Sequence, residues 1–135
     1  MQSSSELNGS SERSLESEQT REFLLLLIRQ KIKDYPLSDR AIFELSYNTN
    51  ISSTELINLN TSDVDFTRKI VRIDRGNETE LIHITDNCVS LLEEMCSMII
   101  YGDSPLFLNS KGERINLSNL WFIKRKFSIE IYPDP

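Results

Sequence analysis

The stretch YNTNISSTELINLN, Tyr47–Asn60, ends one apolar run and begins another across a break made almost wholly of small polar residues. Ser52, Ser53 and Thr54 open the second run, which is typical of a helix N-terminus. Such an end has free backbone N–H groups and the positive end of the helix dipole, so it can bind an anion. Ordinary capping explains the same residues, since Glu55 places an acid in the first turn. The spacing favours the cap over the anion site.

On either side of this break, the spacing of apolar residues predicts a mostly helical α+β domain with four main helices and a β-hairpin. A period of two on both sides of the RGNET segment (75–79) indicates the hairpin, with its tip at those residues. A short third strand is expected to pack at one edge. The predicted helices are 20–33, 40–48 (capped by Ser38-Asp39), a short one at 54–59, a long one after the Thr85-Asp86 cap and a last one capped by Ser118, and the predicted strands are 69–74, 80–84 and 106–108.

The apolar positions of these elements define the expected core. Leucines, isoleucines and valines recur at helical spacing in the helices and at every second position in the strands. The predicted core residues are Leu24, Leu27, Ile28, Ile42, Leu45, Leu56, Leu59, Val71, Ile73, Ile82, Leu92, Met95, Ile99, Leu106, Leu120, Trp121 and Ile123.

The composition predicts one globular domain at 18–135, preceded by a disordered Ser/Glu-rich tail at 1–17. The chain has 135 residues, of which 39% are hydrophobic and 27% charged, as in soluble globular proteins. The tail has too few apolar side chains to order itself and lacks the pattern of a signal peptide. The FLLLLI run is too short to span a membrane. Cys88 and Cys96 lie too far apart along one helix for a disulfide, which favours reduced thiols and a cytoplasmic protein.

The residue patterns do not predict a metal, a cofactor or a small-molecule substrate. No His or Cys residues stand at metal-ligand spacing, and no Gly-rich phosphate loop is present. His83 is the single histidine and has no catalytic partner in the pattern, so we interpret it as structural.

The charge is unevenly distributed along the chain. The formal net charge of −6 argues against a strongly basic nucleic-acid binder. Residues 1–20, however, carry four Glu against Arg13 alone, whereas 111–127 carries five basic residues against Glu113. An acidic start combined with a basic C-terminal stripe lowers the odds of DNA binding without excluding it.

Five segments, in order, resemble the first half of the catalytic domain of tyrosine recombinases, the phage integrases. The resemblance covers about Leu25 to Phe127. SDRAIFEL (38–45) is similar to the family's x-D-R-A-ϕ-ϕ-x-L helix, and YNTNISSTELINL (47–59) to its Y-x-T-G-L-R-x-S-E-L-x-x-L. DVDF (63–66) matches its D-I-D turn, RIDRGNETELIHIT (72–85) its V-x-G-K-G-x-K-x-R-x-V-P-L hairpin, and LF (106–107) with SKGERINL (110–117) its L-F-x-x-x-x-G-x-x-L/I segment.

The chain departs from the family pattern at the positions that carry its chemistry. The resemblance implies a catalytic arginine where this chain has Ser52, and a catalytic lysine where it has Arg75. The sequence ends before the family's H-x-x-R motif and tyrosine, and Tyr132 has no such motif ahead of it. Truncation would explain the missing half but not Ser52. From these departures we expect no catalytic residue, and a pseudoenzyme that does not cleave DNA alone.

Three functions remain open. The first is a recombinase-like protein of a bacterium, phage or mobile element that binds the DNA phosphate backbone, in a regulatory role connected with DNA recombination or integration. The second is an interaction module that pairs with another recombinase-like chain or a regulator. The third is part of a split or truncated recombinase. For the DNA-binding function, the candidate residues are Ser52, Ser53, Arg75, Lys124, Arg125 and Lys126.

Overall fold

The structure is a computed structural model that describes the backbone of residues 2–97 and 102–131 and the side chains of 17–97 and 102–128. The chain forms two compact units, Met1–Asp34 and Tyr35–Pro135, which are described separately.

The first unit contains one helix, α1 (Gln2–Lys31). It begins well before residue 20, the predicted start, because 2–20 holds no proline and only one glycine to interrupt a helix. The proposed tail boundary at residue 17 stays a prediction. The predicted burial of Leu24 and Leu27 is wrong, since both are exposed while Leu25 is buried. Among four consecutive leucines the spacing alone does not fix the buried face, and burial follows Leu25, Ile28 and Ile32.

The second unit is mostly helical and contains a three-stranded antiparallel sheet in the order β1-β2-β3, which confirms the predicted fold class. A single 3-10 turn at Thr61–Asp63 precedes the sheet. The elements are α2 (Leu37–Asn48), α3 (Ser53–Ile57), β1 (Val64–Asp65), β2 (Ile70–Asp74), β3 (Thr79–His83), α4 (Asp86–Cys96) and α5 (Leu117–Ile131).

The predicted hairpin is β2–β3, in a register that pairs Ile70 with His83 and Asp74 with Thr79. The third strand was predicted at 106–108, and that position is wrong: β1 pairs with β2 instead, Val64 opposite Val71. Pro105 has no N–H to donate to a ladder, and it and Leu108 form only isolated bridges.

The helix starts differ from the sequence predictions at two of the caps. Pro36, rather than Ser38-Asp39, precedes α2, since proline's missing N–H costs nothing at a helix start. Asn116, rather than Ser118, lies at the start of α5, where its Oδ1 accepts the Asn119 N–H at 2.8 Å. The Thr85 cap of α4 is confirmed, since the Thr85 side chain accepts the Cys88 N–H.

The core of the second unit lies where α2 packs against α4 and where α5 packs against α2 and α3. Ile42, Leu45, Leu56, Leu92 and Leu120 are essentially inaccessible, as predicted. Ile82, Met95 and Ile123 are only partly buried. Trp121 was predicted in the core and is 55% exposed, because Leu120 and Phe127 form the buried face of α5. Ile99 lies outside the described residues.

None of the described helices is both long enough and apolar enough to cross a membrane.

Candidate nucleic-acid interface

The N-terminus of α3 is closed by a reciprocal cap. The Ser52 hydroxyl accepts the Glu55 backbone N–H at 3.1 Å, and the Glu55 carboxylate accepts the Ser52 backbone N–H at 2.9 Å. Two otherwise unpaired N–H groups are satisfied in this way. The structure therefore favours ordinary capping over an anion site within this five-residue helix, and a DNA contact from Ser52 stays a prediction.

The hairpin tip places Arg75 beside this cap. The turn is closed by the Arg75 N–H, which donates to the Glu78 carbonyl at 2.8 Å, and Gly76 adopts a φ of +80° that favours glycine. The Arg75 guanidinium contacts residues before α3, within α3 and on β3. It donates from Nε to Glu55 at 2.9 Å, from Nη1 to Glu80 and from Nη2 to the Asn50 side chain at 3.2 Å. We call Asn50, Glu55, Arg75 and Glu80 the Arg75 cluster.

Lys124 approaches the same segment from α5. Its Nζ donates to the Ser53 hydroxyl at 3.0 Å. Lys124 has no ion-pair partner among the described side chains. Four of the six predicted DNA-binding residues, Ser52, Ser53, Arg75 and Lys124, therefore lie together around residues 50–55.

The other two predicted residues contact side chains outside the segment at 50–55. Arg125 lies over the Trp121 ring, 5.3 Å from the centroid. Lys126 pairs with the buried Asp39 of α2 at 2.5 Å and lies over the Tyr35 ring at 5.6 Å. Described contacts do not join either residue to the segment at 50–55, and for both the DNA-contact role stays a prediction.

The Glu55 carboxyl is held in its charged form. The backbone N–H of Ser52 lowers the Glu55 pKa from its ordinary value of 4.5, and the Arg75 guanidinium lowers it further. Partial burial opposes this shift. The Arg75 cluster places the side-chain carboxyl groups of Glu55 and Glu80 around a single guanidinium.

Other basic side chains near the hairpin and before α5 are engaged within the fold. Lys69 pairs with Asp86 at 2.6 Å, and Arg72 with Asp63 at 3.5 Å. Arg114 donates to the carbonyls of Ile57 and Leu59 at 2.9 and 3.0 Å and to the side chain of Asn60. It satisfies carbonyl groups at the end of α3 and so has a structural role.

A polar cleft of about 760 Å³ opens between α3 and the hairpin. Its lining includes the acids Glu55, Asp63 and Asp74, and Arg72 as its basic residue. An acidic cleft repels phosphate, so this cleft is poorly suited to contact a nucleic-acid backbone.

The sequence patterns did not identify two carboxylates that make tertiary contacts, Glu80 with Arg75 and Glu44 with Asn87. Glu80 was assigned only to a strand, and its contact with Arg75 follows from the hairpin register. Glu44 is buried and accepts hydrogen bonds from Asn48 at 2.9 Å and Asn87 at 2.6 Å, which joins α2 to α4. The one sequence feature that indicates burial of Glu44 is its position between the apolar residues Phe43 and Leu45.

The described residues contain no group of three or more His, Cys, Asp or Glu placed to hold a metal ion. Cys88 is buried, and burial raises the pKa of the half-buried Cys96 thiol.

Comparisons with known proteins agree with the resemblance stated above. Residues 13–131 match the model of the phage integrase family. The tyrosine recombinase XerC of Roseiflexus sp. (strain RS-1) is 31% identical over 128 residues, covering 88% of this chain and 41% of the relative. XerC of Roseiflexus castenholzii is 30% identical over 128 residues, again covering 88% of this chain, and 40% of the relative. The crystal structure of XerA recombinase matches with a TM-score of 0.67 at 18% identity, covering 86% of this chain and 42% of that one, a likeness of fold alone.

The chain thus spans about two fifths of the length of the curated relatives that it matches. These relatives are recombinases, which are enzymes. The expectation that the chain is not an enzyme is overturned by this finding: its match is to a family of enzymes, and the substitutions at Ser52 and Arg75 do not establish inactivity.

Proposed function

The chain belongs to the phage integrase family, and from this membership we propose that it binds duplex DNA through the phosphate backbone and acts in DNA recombination. The DNA-binding face is formed by the segment at 50–55, the hairpin tip and α5.

The observation that carries this proposal is the position of Lys124. Its ammonium group is held at Ser53 by a neutral hydroxyl, and no carboxylate among the described side chains neutralises it. Arg75 reaches the same segment from the hairpin through Asn50 and Glu55. Two cations from distant parts of the chain therefore flank one backbone segment, and arginine and lysine side chains are among the groups that contact DNA phosphates. At residue 52 itself a serine offers at most a neutral hydrogen bond, so the cations supply the charge.

Fluorescence anisotropy with a labelled duplex of arbitrary sequence tests the proposal. At about 50 mM salt the chain should bind, and its affinity should fall steeply as salt rises, because neutralised phosphates release counterions. The triple reversal Arg75→Glu, Lys124→Glu and Arg125→Glu should abolish binding. The control reversal Arg68→Glu, Lys69→Glu and Lys111→Glu changes three exposed residues of the second unit, outside 50–55, the hairpin tip and α5, by the same total charge. Equal losses in both variants would show a general charge effect and contradict the proposed face.

A second candidate function is pairing with another recombinase-like chain. The apolar side chains on α5 favour it, since Leu117, Trp121 and Phe122 are each more than half exposed and aromatic residues are enriched in protein interfaces. Titration of the chain into a XerC-type recombinase, followed by sedimentation velocity, tests this candidate. A complex that Trp121→Ser and Phe122→Ser together abolish, without DNA present, would support it.

A further inference from the structure

We propose that Glu80 competes with DNA phosphate for Arg75, so that the hairpin tip is an internally inhibited DNA contact. This inference rests on the proposed function and adds the regulation of its site. It depends on the geometry of the Arg75 cluster and on the difference between its two carboxylates.

The guanidinium of Arg75 is already fully engaged when DNA is absent. All three of its nitrogens donate within the cluster, to Glu55, to Glu80 and to Asn50, and its side chain is only 27% exposed. Two carboxylates outweigh one cation, so the cluster carries a formal charge of about −1 at neutral pH. In this state the hairpin tip repels phosphate. Arg75 contributes to DNA binding only after it exchanges a carboxylate for a phosphate oxygen.

Glu80 is the carboxylate that can be exchanged. Glu55 is tied to the fold, because its carboxylate also accepts the Ser52 N–H that completes the cap of α3. The Glu80 carboxylate has Arg75 as its only polar partner among the described residues, and its side chain is 46% exposed. An exposed ion pair is worth little and is readily replaced by a phosphate, which offers the same charge-assisted geometry to arginine.

Release of Glu80 leaves the scaffold of the site unchanged. Glu80 lies on β3 opposite Ile73, and the strands are joined there by backbone hydrogen bonds. The Arg75 N–H still donates to the Glu78 carbonyl, and Gly76 still permits the turn. Nη1 of Arg75 can then donate to a phosphate oxygen, while Nε and Nη2 keep their contacts with Glu55 and Asn50.

Glu78 provides a matched control on the same turn. Its side chain is exposed and has no described polar contact, whereas its carbonyl closes the turn. Glu80→Gln and Glu78→Gln each remove one negative charge from the hairpin tip. Only the first removes the competitor of Arg75, so the difference between the two variants isolates the competition from general electrostatics.

The test measures duplex affinity and its salt dependence for the wild-type chain, Glu80→Gln, Glu78→Gln and Glu80→Gln in an Arg75→Gln background. Glu80→Gln should bind roughly three- to tenfold more tightly than Glu78→Gln, the effect of about one charge-assisted contact. Its slope of log affinity against log salt should be steeper by about one, since one more phosphate is neutralised. In the Arg75→Gln background this gain should disappear.

Glu80→Thr provides a second variant that suits an exposed strand position, in case the glutamine disturbs folding. The Arg75 Nη1–H resonance gives a readout without DNA, because this group donates to Glu80 and should exchange with water faster in Glu80→Gln than in Glu78→Gln. Wild-type binding with equal affinities for Glu80→Gln and Glu78→Gln would overturn this inference and leave the proposed function standing. Absence of binding in all four proteins would overturn both.

Discussion

Ser52 and Glu55 form a local pair that determines where α3 begins. They are three residues apart, and their reciprocal hydrogen bonds of 3.1 and 2.9 Å set the start of α3. This cap could be predicted from the sequence because its partners are neighbours along the chain. The contacts of Arg75 with Glu55 and of Lys124 with Ser53 span 20 and 71 residues. They depend on tertiary packing, which residue spacing does not encode.

Removal of the Ser52 hydroxyl should destabilise the second unit. Ser52→Ala is expected to lower the free energy of unfolding by about 1 kcal/mol, because the Glu55 N–H loses its acceptor. Ser52→Asp keeps an acceptor and should remain close to wild type, while Ser52→Arg should behave like alanine. Urea unfolding followed by circular dichroism measures all three. A Ser52→Ala chain as stable as wild type would show that the cap contributes nothing.

The charge of Glu55 should make stability depend on acid pH. Its pKa is lowered in the folded state, chiefly by the Ser52 N–H. The carboxylate therefore stabilises the fold above its ordinary pKa of 4.5, and this contribution is lost as pH falls below that value through the folded pKa. Glu55→Gln retains an oxygen acceptor but has no charge, so its stability should decline less between roughly pH 5 and pH 3.

Urea titrations across that range measure this difference, with Glu78→Gln as the control for loss of one carboxylate on the adjacent turn. Parallel stability curves for wild type and Glu55→Gln would contradict the role given to Glu55.

At the scale of elements, the spacing of apolar residues and the turn residues located the hairpin strands correctly. They did not identify the third strand of the sheet. The alternation on both sides of residues 75–79 identified β2 and β3. Val71 and Ile73 on one face of β2 are buried, whereas β3 contains no buried residue. The third strand was placed wrongly at 106–108, since a two-residue strand such as β1 is too short to have a period. Trp121 was wrongly predicted in the core, because helical spacing identifies the apolar stripe of a helix but not the width of that stripe. Trp121 lies beside the buried stripe of α5 and is exposed.

Gly76 should be required at the hairpin tip for its backbone conformation alone. A Cβ at Gly76 would meet no atom within 4 Å, yet its φ is +80°. Gly76→Ala should therefore cost about 1 kcal/mol of stability through strain. Gly102→Ala is the matched control, because it also meets open space and has no positive φ in this range. Thermal unfolding of both variants checks this, and equal melting temperatures would contradict it.

At the scale of the whole molecule, the sequence predicted a family and a boundary by different kinds of argument. The family followed from five weak segments in one order, and the match over residues 13–131 confirms it. The boundary at residue 17 followed from composition alone, which describes what a segment can bury but not the conformation it adopts. The helix α1 extends through this segment, and the boundary remains a prediction.

Removal of residues 1–17 should leave the stability of the remainder almost unchanged. The segment is rich in Ser and Glu and has little apolar surface to contribute to a core. Calorimetry of the full chain and of a chain that begins at residue 18 compares their melting temperatures, and hydrogen exchange of 1–17 should be close to unprotected. A fall of several degrees on truncation would show that the segment stabilises the fold.

The central claim is that DNA contacts the face formed by residues 50–55, the hairpin tip and α5, and amide NMR during titration with an unlabelled duplex tests it most directly. We expect shift changes at about 50 mM salt to concentrate at 50–55, 75–80 and 117–126, and to fade as salt is raised. Changes confined to α4, or an unchanged spectrum at saturating duplex, would contradict it.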